Sequence, residues 1–504
     1  MHIRLPDTAE ATVSPSRSPS LSLDLALAPD EASRLPRLLQ ATRNRATTLR
    51  LIWHDTADGA LAAEGLALLE RRQGRTTIWL LQRILPGPEE LAPPGTPFPV
   101  LAEAASPELL GSDLPADLTP IATLEGRARP FAGAGGVEAM LLAGTLHAGD
   151  VEGPCARLLL RGPAGAVATV VTTLASTVAL TVPAASLAAE AAALAGRPLP
   201  PRRLGAPSLA ARSTVGEAFA HIVAHLTDVV LHHAPAATAA QAPVPVHQMR
   251  VALRRLRSAT GLFRRAVQCE ELDAVTTGLK TLARTLGPAR DWDVFTTGIG
   301  AKVGTVFPAD PAITRMLAAA ERRRQEAYGT LRAWLDGPEF RHLALALAML
   351  AAARPWDAPG DGDGERARQA RRLAMPLSDF ASRVLERRLA PLRKAGDDVT
   401  ALPVETLHQL RIAGKRLRYA AEFFAPLFPG RGTRRFIRRL TALQEAIGHL
   451  NDAAVAAGLL EEIGAAGSYA GGVVQGFVAA QAGDSRAEIA RCWNRFHRLD
   501  PFWN

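Results

Sequence analysis

The 504-residue sequence lacks the features that define several common protein classes. Its three cysteines lie far apart and form no C-x-x-C pair, which argues against a disulfide framework, a cysteine-based zinc site and covalent haem attachment. No apolar run of about 18 residues is free of charges and of Pro or Gly breaks. The first 20 residues have no basic segment leading into an apolar one, so we expect no signal peptide. The sequence therefore predicts a soluble, cytoplasmic protein without a membrane segment.

Lysine is also scarce, since only four of the 58 basic residues are lysines, and the charge is unevenly distributed. Residues 1–200 contain 16 arginines and 20 acidic residues, a net charge of −4. Residues 201–504 contain 42 basic and 29 acidic residues, a net charge of +13. The basic character belongs to the C-terminal part, where it favours an anionic partner.

The C-terminal part contains an internal duplication with a constant offset of 161 residues. Residues 246–265 return as residues 407–426, and the register continues from LGPARDWDV to IGHLNDAAV, which aligns Asp291 with Asp452. Such a repeat predicts two related structural units. The aligned basic pairs are His247 with His408, Arg250 with Arg411, Arg254 with Lys415, Arg255 with Arg416, and Arg257 with Arg418.

Helix geometry places most of these residues on one side of each predicted helix. At about 100° per residue, four of the five fall within an arc of about 80°, and apolar residues occupy the opposite side. We call the first set, His247, Arg250, Arg254 and Arg257, the first stripe. The second set, His408, Arg411, Lys415 and Arg418, is the second stripe. Arg255 and Arg416 flank them. A solvated face is the ordinary explanation of a charge run, but such faces usually mix signs, and these stripes have almost no acidic neighbours. The pattern therefore indicates an anion-binding site.

Both histidines are expected in the first turn of their helices, where free N–H groups and the positive dipole end favour an anion. A nearby phosphate would raise the histidine pKa, and the alternative is a hydrogen-bonding role at the helix start. The segment after the first stripe is expected to break at Gly287-Pro288, with Asp291 capping the next helix. Asp291 and Asp452 are expected to hold loops or to pair with the stripes rather than to catalyse.

The duplicated H-x-x-R-x-x-x-[RK]-R-x-R helix, the segments LGPARDWDV and IGHLNDAAV, and the aromatic C-terminal segment resemble the CHAD domain, the conserved histidine α-helical domain. The resemblance spans residues 213–504, with repeats at about 213–353 and 366–504. It implies an all-helical domain of two related bundles whose basic faces bind inorganic polyphosphate. The implied site consists of both stripes with the flanking Arg255 and Arg416.

The N-terminal part predicts a different architecture. Alternating segments such as LSLDLAL, TTLRLIWHD and RTTIWLLQR, separated by Pro- and Gly-rich loops, predict an antiparallel, barrel-like β domain with a few helices over residues 21–198. Residues 1–20 are rich in Ser, Pro and Thr and are expected to be flexible. Residues 199–212 form a Pro-rich linker. The whole chain is therefore predicted to be an α+β protein of two domains.

The predicted β domain resembles the CYTH domain, the triphosphate tunnel family, in Arg50 before HDT, in GLALLERR, in Trp79 and in VEAMLLAG with Glu138. The resemblance implies a metal-dependent triphosphatase, which needs several carboxylates to hold Mg²⁺ or Mn²⁺. Asp24 and Glu138 alone would make a poor site, so we expect a degenerate scaffold without metal. The family's functional positions fall here on Ser22, Asp24, Ala26, Gln82, Leu142, Ala156, Leu158 and Leu160.

The sequence thus favours non-enzymatic binding of inorganic polyphosphate, with recruitment of the protein to polyphosphate or storage granules as a consequence. Binding of a nucleic acid or of a partner protein is the alternative. Few aromatic residues accompany the stripes for base stacking, and no helix-turn-helix or RNA-module signature occurs, which disfavours a nucleic acid. Triphosphatase activity of the N-terminal domain is the least favoured function. We expect no catalytic residue, metal ligand or cofactor.

Overall fold

A computed structural model describes residues 20–38, 45–85, 93–110, 114–202, 204–239, 242–357, 364–396, 399, 402–481 and 485–503. Residues 1–19, which are expected to be flexible, lie outside the described residues. The chain divides into two compact units: Met1–Gly205 with Arg341–Pro355 (unit 1), and Ala206–Phe340 with Trp356–Asn504 (unit 2). In the part of the chain that the structure describes, no helix is long and apolar enough to cross a membrane.

Unit 1 is built on an eight-stranded antiparallel sheet, as the alternating pattern predicts. Its strands are β1 (Ser20–Ala26), β2 (Thr47–Asp55), β3 (Leu66–Gln73), β4 (Thr76–Arg83), β5 (Val100–Ala104), β6 (Thr119–Ala132), β7 (Glu138–Ala148) and β8 (Val151–Pro163). Their order is β1-β8-β7-β6-β2-β3-β4-β5, and the edge strands β1 and β5 are not hydrogen-bonded to each other. The sheet is therefore a half-barrel rather than a closed barrel.

One face of this sheet is covered by a small helix. The helices of this part are α1 (Pro29–Leu38), α2 (Ala60–Ala63), α3 (Ala164–Ala175) and α4 (Leu187–Leu194). Four buried alanines of α4 share one apolar cluster with Trp53 of β2, Leu124 of β6 and Leu146 of β7. Alanine side chains allow a helix to approach a sheet closely, so α4 fills the space above these strands.

A buried charge network lies on the same face. The guanidinium group of Arg157 is 3.7 Å from Asp24 Oδ1 and 2.5 Å from Glu190 Oε2, and only 3% of its side chain is exposed. Burial raises the pKa of Asp24, although the positive charge of Arg157 opposes this. Arg157 is therefore neutralised by two carboxylates of its own chain.

The register of β1 and β8 corrects one assignment from the sequence. Asp24 lies opposite Leu159, and residues directly opposite each other point to the same face of a sheet. The side chains of β8 that share the face of Asp24 are therefore Arg157, Leu159 and Arg161. Ala156, Leu158 and Leu160, which the CYTH resemblance gives as functional positions, are buried on the other face. Strand β8 contributes no carboxylate beside Asp24 in either register.

The C-terminal part is all-helical, as predicted. Its helices are α5 (Val215–Ala239), α6 (Pro243–Phe263), α7 (Glu270–Phe295), α8 (Ala301–Val306), α9 (Pro311–Leu335), α10 (Pro338–Ala353), α11 (Glu365–Leu373), α12 (Leu377–Arg393), α13 (Val404–Phe424), α14 (Arg431–Glu462), α15 (Tyr469–Gln481) and α16 (Ser485–His497). Successive packing of α5, α6, α7 and α9 recurs in α12, α13, α14 and α16, which is the structural form of the duplication. Residues 341–355, most of α10, belong to unit 1.

The predicted break at Gly287-Pro288 is wrong, because α7 continues through Pro288 to Phe295 and then into a π-helical turn at Thr296–Gly300. An interior proline costs a helix roughly 3 kcal/mol, since it removes one N–H and crowds the preceding turn. Leu286, Ala289 and Trp292 around it are almost completely buried, and their packing offsets this cost. Asp291 therefore lies within a helix and does not cap one.

Another acidic residue of α7, Asp293, has no exposed surface. Asp293 is fully buried and accepts a 2.8 Å hydrogen bond from the Tyr328 hydroxyl of α9, while Arg324 Nε lies 3.2 Å from its other oxygen. Burial raises the pKa of both Asp293 and Tyr328. This network joins α7 to α9.

Substitution of Tyr328 by Phe is expected to lower the free energy of unfolding by about 1–3 kcal/mol, because it removes a hydrogen-bond donor from a buried carboxylate. Urea unfolding followed by circular dichroism measures the change. The control is Tyr469→Phe, since 61% of Tyr469 is exposed. Equal unfolding midpoints for the two variants would contradict the assigned role of this hydrogen bond.

Candidate anion-binding site

Two helices of unit 2, α6 and α13, carry the stripes and contact each other directly. The apolar side of α6 is buried through Met249, Leu253 and Leu256, and that of α13 through Leu410 and Leu417. Among the described basic side chains of the stripes and their flanks, His247, Arg254 and Arg257 of α6 and Arg416 of α13 are exposed, and the others are partly exposed. The structure therefore places the two duplicated helices next to each other.

The stripes begin one residue later than the first turn. His247 is the fifth residue of α6, which begins at Pro243, and His408 is the fifth residue of α13, which begins at Val404. Only the first four N–H groups of a helix lack an intrahelical partner. The expectation that both histidines lie in the first turn is therefore wrong, because the predicted helix starts were too late. The side chain of His408 lies outside the described part of the structure.

The first stripe contains a cluster of positive charge. Burial, followed by the charges of Arg290, Arg254 and Arg250, lowers the pKa of His247. Burial also lowers the pKa of Arg250, although the charge of Asp291 opposes this. Arg250 extends toward α7, where a Cβ on Gly287 would lie 3.6 Å from its Nη1. The charges of Arg250 and Asp291 act on each other, and pairing of Asp291 with the stripe stays a prediction.

Arg290 of α7 belongs to this cluster and was not predicted from the sequence. Its charge acts on His247, on Arg250 and on Asp291. The position is occupied by Asn451 in the second copy, so a comparison of the two repeats gave no reason to select it. Arg290 follows Gly287 by three residues and therefore lies on the same side of α7, the side that Arg250 reaches. This helical spacing is the signal that would have identified Arg290.

The two stripes meet at Tyr419, a residue of α13 that was also not predicted. The guanidinium carbon of Arg254, from the first stripe, lies 5.6 Å from the centroid of the Tyr419 ring. The guanidinium carbon of Arg418, from the second stripe, lies 5.2 Å from the same centroid. These distances are within the range of cation–π attraction. We call Arg254, Tyr419 and Arg418 the junction.

Arg418 is held in place by two further contacts. Its Nε donates a 2.8 Å hydrogen bond to Gln444 Oε1 of α14, and its Nη1 lies 3.1 Å from Glu422 Oε1. Arg411 and Lys415 lie on the same helix and are partly exposed. Arg257, the counterpart of Arg418 in the first repeat, is exposed.

The two flanking arginines lie in different surroundings. Burial lowers the pKa of Arg255, opposed by Glu422, so Arg255 faces α13. Arg416 lies near α12, where burial and then the charges of Arg387 and Arg416 lower the pKa of Arg388. Arg416 therefore adjoins a separate group of arginines beside the second stripe. Among the described residues, no group of three or more His, Cys, Asp or Glu side chains could hold a metal ion.

The C-terminal part is a duplicated all-helical domain in which an arginine from each repeat contacts the Tyr419 ring. The model of a protein family described as the CHAD domain matches residues 221–461. This part of the chain is therefore a CHAD domain, as the sequence resemblance implies. Unit 1 is an open antiparallel sheet of eight strands, the barrel-like architecture that the second resemblance implies.

Several solved structures are similar to parts of this chain. The CHAD domain from the plant Ricinus communis is 27% identical, covers 60% of this chain and 97% of its own, and has a TM-score of 0.48. PptA from Streptomyces chartreusis is 17% identical, with coverages of 57% and 99% and a TM-score of 0.38. HpAC1 from Hippeastrum, described as having a dominant triphosphatase activity, is 16% identical, with coverages of 36% and 98% and a TM-score of 0.28. No curated protein matches the chain.

The arrangement around His247 predicts the direction of its titration. Burial and then nearby positive charge disfavour the imidazolium form, so the pKa of His247 should lie below its ordinary value of about 6.5. Substitution of Arg290 by Ala removes one of these charges and should raise the pKa of His247. NMR titration of the imidazole resonances measures it, and a His247→Gln variant identifies the resonance.

The matched control is Arg322→Ala on α9, because Arg322 is exposed and is not among the charges that lower the pKa of His247. An unchanged titration in Arg290→Ala, or an equal change in both variants, would show that Arg290 is not part of the cluster.

Proposed function

We propose that this protein binds inorganic polyphosphate along one surface formed by both stripes of its CHAD domain. The observation that carries the proposal is the junction, where Tyr419 contacts an arginine from each repeat. Because the two stripes adjoin there, a single extended anion can contact both. Each charge-assisted hydrogen bond to a phosphate contributes roughly 1.5–3 kcal/mol, and a chain of phosphates can form many of them.

The electrostatics of the first stripe support an anionic ligand. Among the described residues, Arg250, Arg254 and Arg257 form no ion pair within 4 Å, and the nearby Arg290 adds to their charge. Like charges on one surface repel each other, and a bound polyanion removes that cost. The planar arginine fork can form paired hydrogen bonds to phosphate oxygens, and a phosphate chain offers many such pairs.

A nucleic acid is a weaker candidate for the same surface. Proteins that bind single strands stack bases on aromatic rings beside the basic groove. The ring at the junction is already engaged by two guanidinium groups, which leaves little of its surface for a base. Binding of a partner protein remains the second alternative, and recruitment to polyphosphate deposits would follow from the favoured function.

We further propose that unit 1 is not a phosphohydrolase. Helix α4 fills the face of the sheet on which Asp24 lies, and Arg157 is occupied by Asp24 and Glu190. A triphosphate would have to displace this helix and break a buried ion pair. Of the positions that the CYTH resemblance gives as functional, only Asp24 and Glu138 are carboxylates, which is too few for a hard-cation site. These features support a scaffold role for the unit.

Reversing the charge of one arginine in each stripe should abolish most of the binding. In the full chain, Arg250→Glu with Arg411→Glu is expected to weaken the affinity for long-chain polyphosphate by at least about 100-fold, since two charge-assisted contacts become repulsive. Isothermal titration calorimetry at about 150 mM salt measures this, with single-stranded DNA and RNA titrated in parallel.

The control pair, Arg315→Glu with Arg322→Glu, makes the same change in net charge at exposed positions of α9. It should have a much smaller effect. Equal losses for both pairs, or equal affinity of the wild type for polyphosphate and nucleic acids, would mean that the stripes are a general basic surface.

The scaffold role predicts no release of phosphate from tripolyphosphate above background in the presence of Mn²⁺. A colorimetric phosphate assay on the full chain measures it, with Asp24→Ala as the comparison. Turnover by the wild type that disappears in Asp24→Ala would overturn this part of the proposal.

A further inference from the structure

We propose that Tyr419 is a positioning residue that joins the two stripes into one continuous site, so that the protein prefers long phosphate chains to short ones. This inference rests on the proposed binding of polyphosphate. It concerns a residue that lies outside both stripes and carries no charge. Its basis is the position of the ring, which lies against Arg254 of α6 and Arg418 of α13.

The packing of α6 against α13 brings two guanidinium groups near the same ring. Two guanidinium groups near each other repel, and without a further contact their flexible side chains would turn apart. The electron-rich face of an aromatic ring attracts each cation and offsets part of the repulsion. Tyr419 therefore keeps both cations at the boundary between the repeats before any ligand arrives.

The two arginines depend on the ring to different degrees. Arg418 is also fixed by Gln444 and Glu422, so its position is largely set within the second repeat. The guanidinium group of Arg254 forms no ion pair or hydrogen bond with the described residues, and its specific contact is the Tyr419 ring. Tyr419, a residue of the second repeat, thus restricts the position of an arginine side chain of the first repeat.

The duplication supports a specific role for this ring. The residue that corresponds to Tyr419 in the first repeat is Ser258, which has no ring. A single tyrosine therefore serves a boundary that two copies of the helix form. If the ring served only the packing of each bundle, the first repeat would need an equivalent side chain at this position, and it has none.

A fixed junction favours ligands that cross it. A chain long enough to contact both stripes benefits from cations that are already in place, because less side-chain order is lost on binding. Once one stripe holds such a chain, its remaining phosphates are presented to the other stripe at high effective concentration. Pyrophosphate is too short to contact both stripes and gains nothing from the junction.

The test compares two ligand lengths on the full chain by isothermal titration calorimetry, with long-chain polyphosphate and pyrophosphate as probes. Tyr419→Leu should weaken the binding of long-chain polyphosphate by about fivefold to thirtyfold, the effect of losing two cation–π contacts. Its affinity for pyrophosphate should stay near that of the wild type. Tyr419→Phe keeps the ring and should retain the preference for long chains.

Tyr469→Leu is the matched control, because it removes an exposed tyrosine elsewhere in the domain and should change neither affinity. An unchanged preference for long chains in Tyr419→Leu would overturn the inference. So would an equal loss for both ligands, which would indicate general damage rather than loss of the junction. If the wild type bound no polyphosphate, the proposed function itself would fail, and this result is distinct from either of the others.

Discussion

The packing of helix α6 against helix α13 is the constraint on which the rest of the site depends. Each helix buries an apolar side, and this burial holds two arginine-rich helices in contact despite their charge. The repulsion is moderated locally, by Asp291 near Arg250, by Glu422 near Arg255 and Arg418, and by the Tyr419 ring. Enough positive charge is left over that a polyanion is the natural complement of the surface.

Much of this organisation could be predicted from the sequence. Helical periodicity identified the basic and apolar sides of α6 and α13, and the constant offset predicted two related bundles. Alternation identified strands such as Thr47–Asp55. Tyr419 could not be predicted, because its contact with Arg254 joins residues distant in sequence. Pro288 misled the prediction of α7, since local propensity favours a break and the packing of Leu286 and Trp292 outweighs it.

The N-terminal unit shows a second limit of sequence reasoning. The alignment of β8 with the CYTH pattern was one residue out of register. A slip of one residue moves every side chain of a strand to the other face of its sheet. The cross-strand pairs of β1 and β8 corrected this and placed Arg157 beside Asp24. Helix α10 is a similar case, because it is apolar nearly all round and its periodicity could not indicate that residues 341–355 belong to unit 1.

The central claim is that both repeats contribute to one site. A crystal structure of the full chain with an oligophosphate long enough to reach both stripes tests this most directly. The account predicts one continuous chain of phosphates that passes the Tyr419 ring and contacts Arg250 and Arg254 on one side and Arg418 on the other. Two separate ligands that leave the junction empty, or a ligand bound only beside Arg387 and Arg388, would contradict it.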